Sequence, residues 1–502
     1  MKKTVLHADR YFGGTPIDKR IFGSFAEHMG RLVYGGMYQP GQATADENGF
    51  RGDVIDLVKE QGVTALRYPG GNFVSAYRWE DTVGDPATRP VRTEPAWKNI
   101  ETNQFGLNEF MTWCRKTGIE PIMAINLGTR GTDAARDLLE YCNMPVGTKF
   151  SDWRASHGFK EPHNIRMWCL GNEMDGVWQI GHRSAFEYGS AAVQAGRLMK
   201  RIDPTLQLVV CGSAGMAVPT FAAWDAEVLE QSYDIADFIS VHTYFDNRNK
   251  TPEDSAAFLS ASNNLDKQIK AIIATCDYVK AKLRKKTTVN LSVDEWNVVY
   301  RPHGKVPNVD WTFAPHQIED VYNLEDALLV ASCLMTLMRH ADRVKIACQA
   351  QLVNVISPIM TSDNKAWRQT IFYPFAEMSR FGRGEILPLV SDGETYEAGV
   401  YGTSPVLDAI LTEDKENGTL SLFAVNRSLD EENEITLDLR QFEGYRVKLH
   451  SVLNSEGLRD VNTEEDPDRV RPEARGDAKI EGGVLTAHLE KHSFNTIVLS
   501  RN

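Results

Sequence analysis

The stretch Trp168-Cys169-Leu170-Gly171-Asn172-Glu173-Met174-Asp175 decides how this chain is read. An apolar run stops at a glycine, and an amide and a carboxylate follow at once. A buried strand delivers polar chemistry to the open end of a parallel sheet in this way. Far downstream, Val289-Asn290-Leu291-Ser292-Val293 runs into Asp294-Glu295-Trp296-Asn297. Two strand ends that each deliver a glutamate point to paired-carboxylate chemistry, with Glu173 and Glu295 as catalytic candidates.

Around these two stretches the chain keeps a rhythm of short apolar strand, polar loop and helix-length amphipathic segment. Strands are predicted at 21–25, 65–68, 121–125, 167–170, 208–211, 238–242, 289–293 and 344–347. Helices are predicted at 52–61, 106–117, 133–143, 182–201, 220–230, 265–284, 324–340 and 373–381. Repeated strand–helix units predict an α/β fold, a (β/α)8 TIM barrel over residues 18–383. Nearly every strand ends in polar groups: Glu27 and His28, Arg67 and Asn72, Asn126, Asn172 and Glu173, His242 and Tyr244, Asp294 and Glu295, Gln349 and Gln351. In a barrel these ends converge on one face. A doubly wound sheet would permit the same alternation, but no Gly-x-Gly-x-x-Gly turn or phosphate loop occurs. Gly212-Ser213-Ala214-Gly215 misses the nucleophile-elbow pattern, which leaves Ser213 a loop residue.

Beyond residue 383 the texture changes to short alternating runs at 419–425, 435–439, 445–453, 485–489 and 495–499. Period-two alternation of this kind predicts a C-terminal β-sandwich domain over 384–502. An orphan strand at 4–8 is expected to join it, so that residues 1–17 belong to the same domain.

A net charge of −13 argues against a phosphate-tracking surface, so no nucleic-acid partner is expected and a neutral substrate fits better. No stretch is apolar enough for a membrane span, and the basic start lacks the apolar core of a secretory signal. The seven cysteines are odd in number and widely spaced, as expected of reduced packing thiols in a cytoplasm. His28, His242, His303 and His316 never fall in tight zinc spacings and no Cys-x-x-Cys occurs, so no metal or other cofactor is expected.

Cleavage of a glycosidic bond needs a proton for the leaving oxygen and negative charge beside the oxocarbenium-like carbon, which two carboxyl groups supply. The plain alternative for Glu173 and Glu295 is a pair of salt-bridged loop acids. Asn172 either holds a sugar hydroxyl or braces the turn after Gly171. Arg67, His242 and Tyr244 are candidates to orient a carboxylate and keep it ionised.

Taken together, Gly23-Ser24-Phe25-Ala26-Glu27-His28, Arg67-Tyr68-Pro69-Gly70-Gly71-Asn72-Phe73, Gly171-Asn172-Glu173-Met174-Asp175-Gly176 and Asp294-Glu295-Trp296-Asn297 resemble the α-L-arabinofuranosidases of glycoside hydrolase family 51. Tyr34-Gly35-Gly36, Asn126-Leu127-Gly128-Thr129-Arg130-Gly131 and Ala350-Gln351-Leu352-Val353-Asn354 extend the resemblance over almost the whole chain. It implies a retaining, exo-acting barrel enzyme with the N-terminal strand in the sandwich. Glu173 is then the general acid/base, kept protonated at rest by its partner's negative charge, and Glu295 the nucleophile. Glu27, Asn72, Asn172, Tyr244 and Gln351 match furanose-binding positions, and Trp97 matches an aromatic wall. The implied partner is an arabinose-containing oligosaccharide, and the implied assembly is a cytoplasmic homo-oligomer, a hexamer. One departure stands out: many relatives carry an aromatic two residues after the Asn of Asp-Glu-Trp-Asn, whereas here Val298 and Val299 precede Tyr300. A β-xylosidase or endo-glucanase with the same glutamate pair, and a sugar-binding barrel without turnover, are the competing readings.

Overall fold

The computed structural model describes residues 1–246, 254–300 and 310–501. Eight parallel strands close into a barrel in chain order: Gly23–Phe25, Ala65–Tyr68, Glu120–Ala124, Met167–Leu170, Gln207–Val210, Phe238–Phe245, Asn290–Val298 and Val344–Ala350. The eighth strand pairs with the first through Cys348 and Gly23. Gly23 has no room for a side chain there, since a Cβ would sit 2.7 Å from the Ala347 carbonyl oxygen.

Helices follow the strands close to the expected ranges, among them Gly52–Gln61, Leu107–Thr117, Ala185–Ile202 and Ser262–Lys282. Two of these helices show capping at one end each. Ser184 accepts the Glu187 amide while Glu187 reaches back to the Ser184 amide, and Gly118 ends its helix in the left-handed region at φ 75°.

Three departures stand out. Strand one begins at Gly23 rather than residue 21, because Asp18 caps a 3-10 turn over Lys19–Phe22 by accepting the Arg20 amide. Strands six and seven run on to Phe245 and Val298, so that Glu295 lies within its strand and not after it. The hairpin Arg92–Glu94 with Asn99–Glu101, the helix Lys149–Ser156 and the strand Leu407–Asp414 escape the sequence reading. In Leu407–Asp414 the alternation is erased because nearly every side chain is buried.

Two sheets pack face to face beyond the barrel. One has the order Thr15–Pro16, Glu385–Leu387, Leu407–Asp414, Thr419–Asn426, Ser493–Ser500, Arg446–Leu453, Pro472–Glu473. The other has the order Leu389–Ser391, Lys2–Ala8, Asn433–Asp438, Val484–Leu489, Lys479–Glu481. The N-terminal segment thus enters both sheets, pairing in parallel with Asn433–Asp438 and antiparallel with Glu385–Leu387. Leu6, Leu411, Leu422, Leu437, Leu485 and Ile497 form the core between the sheets.

Helix Leu324–Arg339 joins the two parts. Every residue from Leu324 to Met338 is buried, because one side packs on the barrel and the other on the sandwich strands. A helix buried all round carries no polar stripe. Phe423, Val425, Leu453 and Phe494 of the sandwich therefore belong to the same core as the barrel. Among the described residues no helix is long and apolar enough to cross a membrane. All seven cysteines are buried free thiols.

Candidate active site

The C-terminal ends of the strands enclose a cavity of about 630 Å³. Glu27, Asn72, Trp97, Glu173, Tyr244, Glu295 and Gln351 line it, so seven of the eight residues singled out in the sequence meet there. Asn172, the eighth, lies buried beneath Glu173 and accepts a hydrogen bond from Arg67 Nη2 at 2.6 Å.

The acidic centre is built by strands four and seven. After strand four, Gly171 turns through φ 98° and Glu173 itself sits at φ 43°, a costly conformation for a residue with a side chain. That turn swings its carboxylate across the barrel mouth. In strand seven the register slips: Ser240 faces Ser292 while His242 faces Glu295, and Val293 faces Ala347 while Trp296 faces Gln349. One extra residue is thereby accommodated on strand seven. In a regular strand Asp294 and Glu295 would point to opposite faces, but across a bulge both approach Arg67.

Arg67, 1 % exposed, donates from Nη1 to Glu295 Oε1 at 2.7 Å, and its Nε lies 3.6 Å from Asp294 Oδ2. Tyr244 donates its hydroxyl to Glu295 Oε2 at 2.9 Å. His242 Nδ1 lies 2.9 Å from Glu173 Oε1 and 3.6 Å from Glu295 Oε2, and Nε2 lies 3.2 Å from Asp294 Oδ1. Burial by itself would strip the His242 proton, but Glu295, Asp294 and Glu173 together raise its pKa well above the ordinary value. Burial likewise works against the Asp294 charge, yet Arg67 and His242 hold its pKa below the usual carboxylate range. The indole of Trp178, from the loop after Glu173, donates to Glu173 Oε2 at 2.7 Å.

The remaining residues form the rim. Glu27 accepts the Phe73 amide at 2.9 Å and the Gln351 side-chain amide at 3.3 Å. Burial pushes its pKa up to about 8, against the pull of Phe73 and Trp97 and with the help of the Glu295 and Glu94 charges. Gly70 and Gly71 allow these carboxylates to come close, since a Cβ on Gly71 would lie 3.1 Å from Glu295 and 3.3 Å from Glu27. Trp97 reaches the cavity from the Arg92–Glu94 and Asn99–Glu101 hairpin after strand two. Val299 lines the cavity, while the Tyr300 hydroxyl turns away to Asp326. Tyr300 therefore does not replace the aromatic missing at 299.

Glu173, His242 and Glu295 each offer a donor atom within 4.8 Å of the others, which is a spacing a cation could use. Both imidazole nitrogens already face carboxyl groups, so a protonated His242 has no lone pair to give a metal. His28 is taken up by Glu101 and Tyr68, and His316 by Glu319. His303 lies outside the described residues. Ser213 donates to Asp225 at 2.7 Å, as a loop residue.

Sequence reasoning gave no role to Trp178 or to the side chain of Asp294. Trp178 carries a faint signal, an aromatic five residues beyond a strand-end glutamate. Asp294 stands in the sequence among the strand-end polar groups, but its approach to Arg67 alongside Glu295 depends on the bulge.

A closed (β/α)8 barrel that brings two glutamates together on charged and hydrogen-bonding supports defines a glycosidase of the paired-carboxylate class. Residues 57–267 match the family described as alpha-L-arabinofuranosidase 1 domain, and residues 294–493 match the alpha-L-arabinofuranosidase C-terminal domain. An intracellular exo-α-(1→5)-L-arabinofuranosidase of Halalkalibacterium halodurans is 50 % identical over 98 % of both chains. A protein of the same description from Acetivibrio thermocellus is 48 % identical over 100 % of both. The solved structure of a family 51 α-L-arabinofuranosidase from Bifidobacterium longum superposes with a TM-score of 0.95, at 40 % identity and 99 % coverage of each chain. The chain belongs to the α-L-arabinofuranosidases of glycoside hydrolase family 51.

Proposed function

We propose that the chain releases terminal α-L-arabinofuranosyl groups from short arabinose-containing oligosaccharides with retention of configuration. The observation that carries this reading is the approach of Glu173 and Glu295 carboxylate oxygens to within 4.8 Å. Retaining enzymes keep the pair about 5 to 5.5 Å apart, whereas inverting ones leave about 6.5 Å or more for a water.

Glu295, held by Arg67 and Tyr244, attacks the anomeric carbon. The bond to the leaving oxygen breaks as Glu173 delivers its proton to that oxygen. Glu173, now a carboxylate, takes a proton from water, which attacks the same carbon and frees Glu295. His242 Nδ1 lies 2.9 Å from Glu173 Oε1 and so holds the Glu173 carboxyl in place while it gives its proton to the leaving oxygen and takes one from water. Glu27, Asn72, Tyr244 and Gln351 hold the furanose, Asn172 supports them from beneath Glu173 through its bond with Arg67, and Trp97 walls the sugar. Gln351 Oε1 is buried with no partner among the described residues, and so is available to a sugar hydroxyl.

The (1→5) linkage in the names of both relatives favours arabinan fragments over arabinoxylan. Family membership favours a hexamer, and the word intracellular in those names favours a cytoplasmic enzyme. Residues 18–383 act as the catalytic barrel and residues 1–17 with 384–502 as the sandwich domain; no cofactor enters the scheme.

The test is hydrolysis of p-nitrophenyl α-L-arabinofuranoside followed by proton NMR, with the β-D-xyloside as control and solution mass measured alongside. The α-anomer of arabinose is expected to form first, and activity in Glu295→Gln to fall by about four orders of magnitude. First formation of the β-anomer rules out retention. Preference for the xyloside sinks the arabinofuranosidase reading.

A further inference from the structure

Trp97 stands on a four-residue turn, Pro95-Ala96-Trp97-Lys98, closed by the pairing of Glu94 with Asn99. A tryptophan on such a turn has to be held from outside its own backbone ladder. Glu94 does so with both oxygens: one accepts the Ala96 amide at 2.8 Å, the other the Trp97 amide at 2.7 Å. Gln317, from the segment after strand seven, donates to the Trp97 carbonyl at 3.0 Å. The Ile100 amide bonds the Thr312 carbonyl at 2.9 Å and ties the hairpin to the same segment. Glu94 is 3 % exposed, and its carboxylate spends its bonding on the two amides that fix the Trp97 backbone.

We propose that Glu94 is a positioning residue for hydrolysis, one that sets where the Trp97 indole stands against the furanose. The inference rests on the reading of Trp97 as a wall of the substrate pocket. A loosened turn lets the indole sample other positions, and ordering it again on binding weakens substrate affinity without touching the bond-breaking step. Behind the hairpin a second cavity, about 170 Å³, is bounded by Glu94, Glu101, Arg78, Asp81 and Arg92, with Glu27 on the substrate side. Burial pushes Glu94 up to about 7, against the pull of the Trp97 and Ala96 amides, with Glu101 adding to the rise. As pH climbs through neutrality Glu94 ionises and grips both amides, so KM falls.

The experiment compares KM, kcat and their pH profiles on p-nitrophenyl α-L-arabinofuranoside for Glu94→Ala, Glu94→Gln, Trp97→Ala and Glu94→Ala with Trp97→Ala. Glu94→Ala is expected to raise KM about tenfold with kcat within about threefold. The same change is expected to vanish in the Trp97→Ala background. Glu94→Gln, which keeps size and one acceptor, removes the part of the KM profile that belongs to Glu94, and it carries the test should Glu94→Ala fail to fold. If Trp97→Ala leaves KM unchanged, the wall reading fails and the inference with it. If Trp97→Ala raises KM but neither Glu94 variant does, or the two effects add in full, the wall stands and the positioning role is overturned.

Discussion

Exchange of His242 for asparagine removes a cation from among three carboxyl groups. Its nitrogens lie 2.9 Å from Glu173, 3.2 Å from Asp294 and 3.6 Å from Glu295, and the ring is buried. At an effective dielectric of about 20, unit charges about 4 Å apart attract by about 4 kcal/mol. Most of that gain offsets desolvation, and breaking one partner from a buried pair costs about 3–5 kcal/mol. His242→Asn is therefore expected to lose about that much stability, read from the guanidinium midpoint. kcat/KM should drop about a hundredfold, because Glu173 loses the group that orients it.

The pH dependence carries the sharper test. The folded pKa of His242 is raised above 6.5, so its contribution to stability is fully present below the unfolded value and is lost as pH rises toward the folded one. The stability gap between wild type and His242→Asn should narrow by about 1.4 kcal/mol per pH unit above about pH 6.5. A gap that stays constant over that range would mean a neutral imidazole held by hydrogen bonds alone. That result would refute the imidazolium at the centre of the site.

Three further outcomes follow from the same geometry. Glu173→Ala should lose about 10²- to 10⁴-fold on substrates with poor leaving groups and far less on activated aryl glycosides, with azide restoring turnover as an α-configured glycosyl azide. A β-configured adduct would contradict the double displacement. Tyr244→Phe deletes the 2.9 Å bond to Glu295 and should cost about 1.5–3 kcal/mol of transition-state stabilisation, read as kcat. Gly71→Ala places a Cβ 3.1 Å from Glu295 and 3.3 Å from Glu27; activity should fall about a hundredfold while the melting temperature stays near wild type.

Much of this architecture is legible in the sequence because the barrel repeats one local rule. Each strand is an apolar run ending in polar groups, and Met167–Leu170 or Ala65–Tyr68 can be found to the residue. Glu173 stands out because Gly171 and Asn172 break the run before it. Legibility fails where tertiary contacts replace the local pattern. Leu407–Asp414 is buried almost throughout and shows no alternation, and the Trp97 hairpin spans strands of only three residues, Arg92–Glu94 and Asn99–Glu101. The inward turn of Asp294 depends on a bulge defined only by the registers of the flanking strands six and eight. No local pattern encodes a neighbour's register.

Asp294 also explains why the site tolerates so many buried charges. Arg67 has its pKa raised well above its ordinary value by Asp294 and Glu295, against burial, and His242 is raised likewise, so two positive charges sit in the cluster. Asp294 and Glu295 match them, and the cluster is neutral only when Glu173 carries a proton. A general acid must hold that proton at rest, so the electrostatic requirement and the chemical one coincide. In the proposed double displacement Glu295 loses its charge on becoming an ester, and in the same step Glu173 gains one. The cluster is then neutral again, with the negative charge moved from strand seven to the end of strand four and His242 within hydrogen-bonding reach of its new position. Had Asp294 pointed outward, the same two cations would leave the resting site with a surplus positive charge and favour loss of the Glu173 proton before substrate arrived. In the proposed mechanism the bulge in strand seven thus does for proton retention on Glu173 what Arg67 does for Glu295.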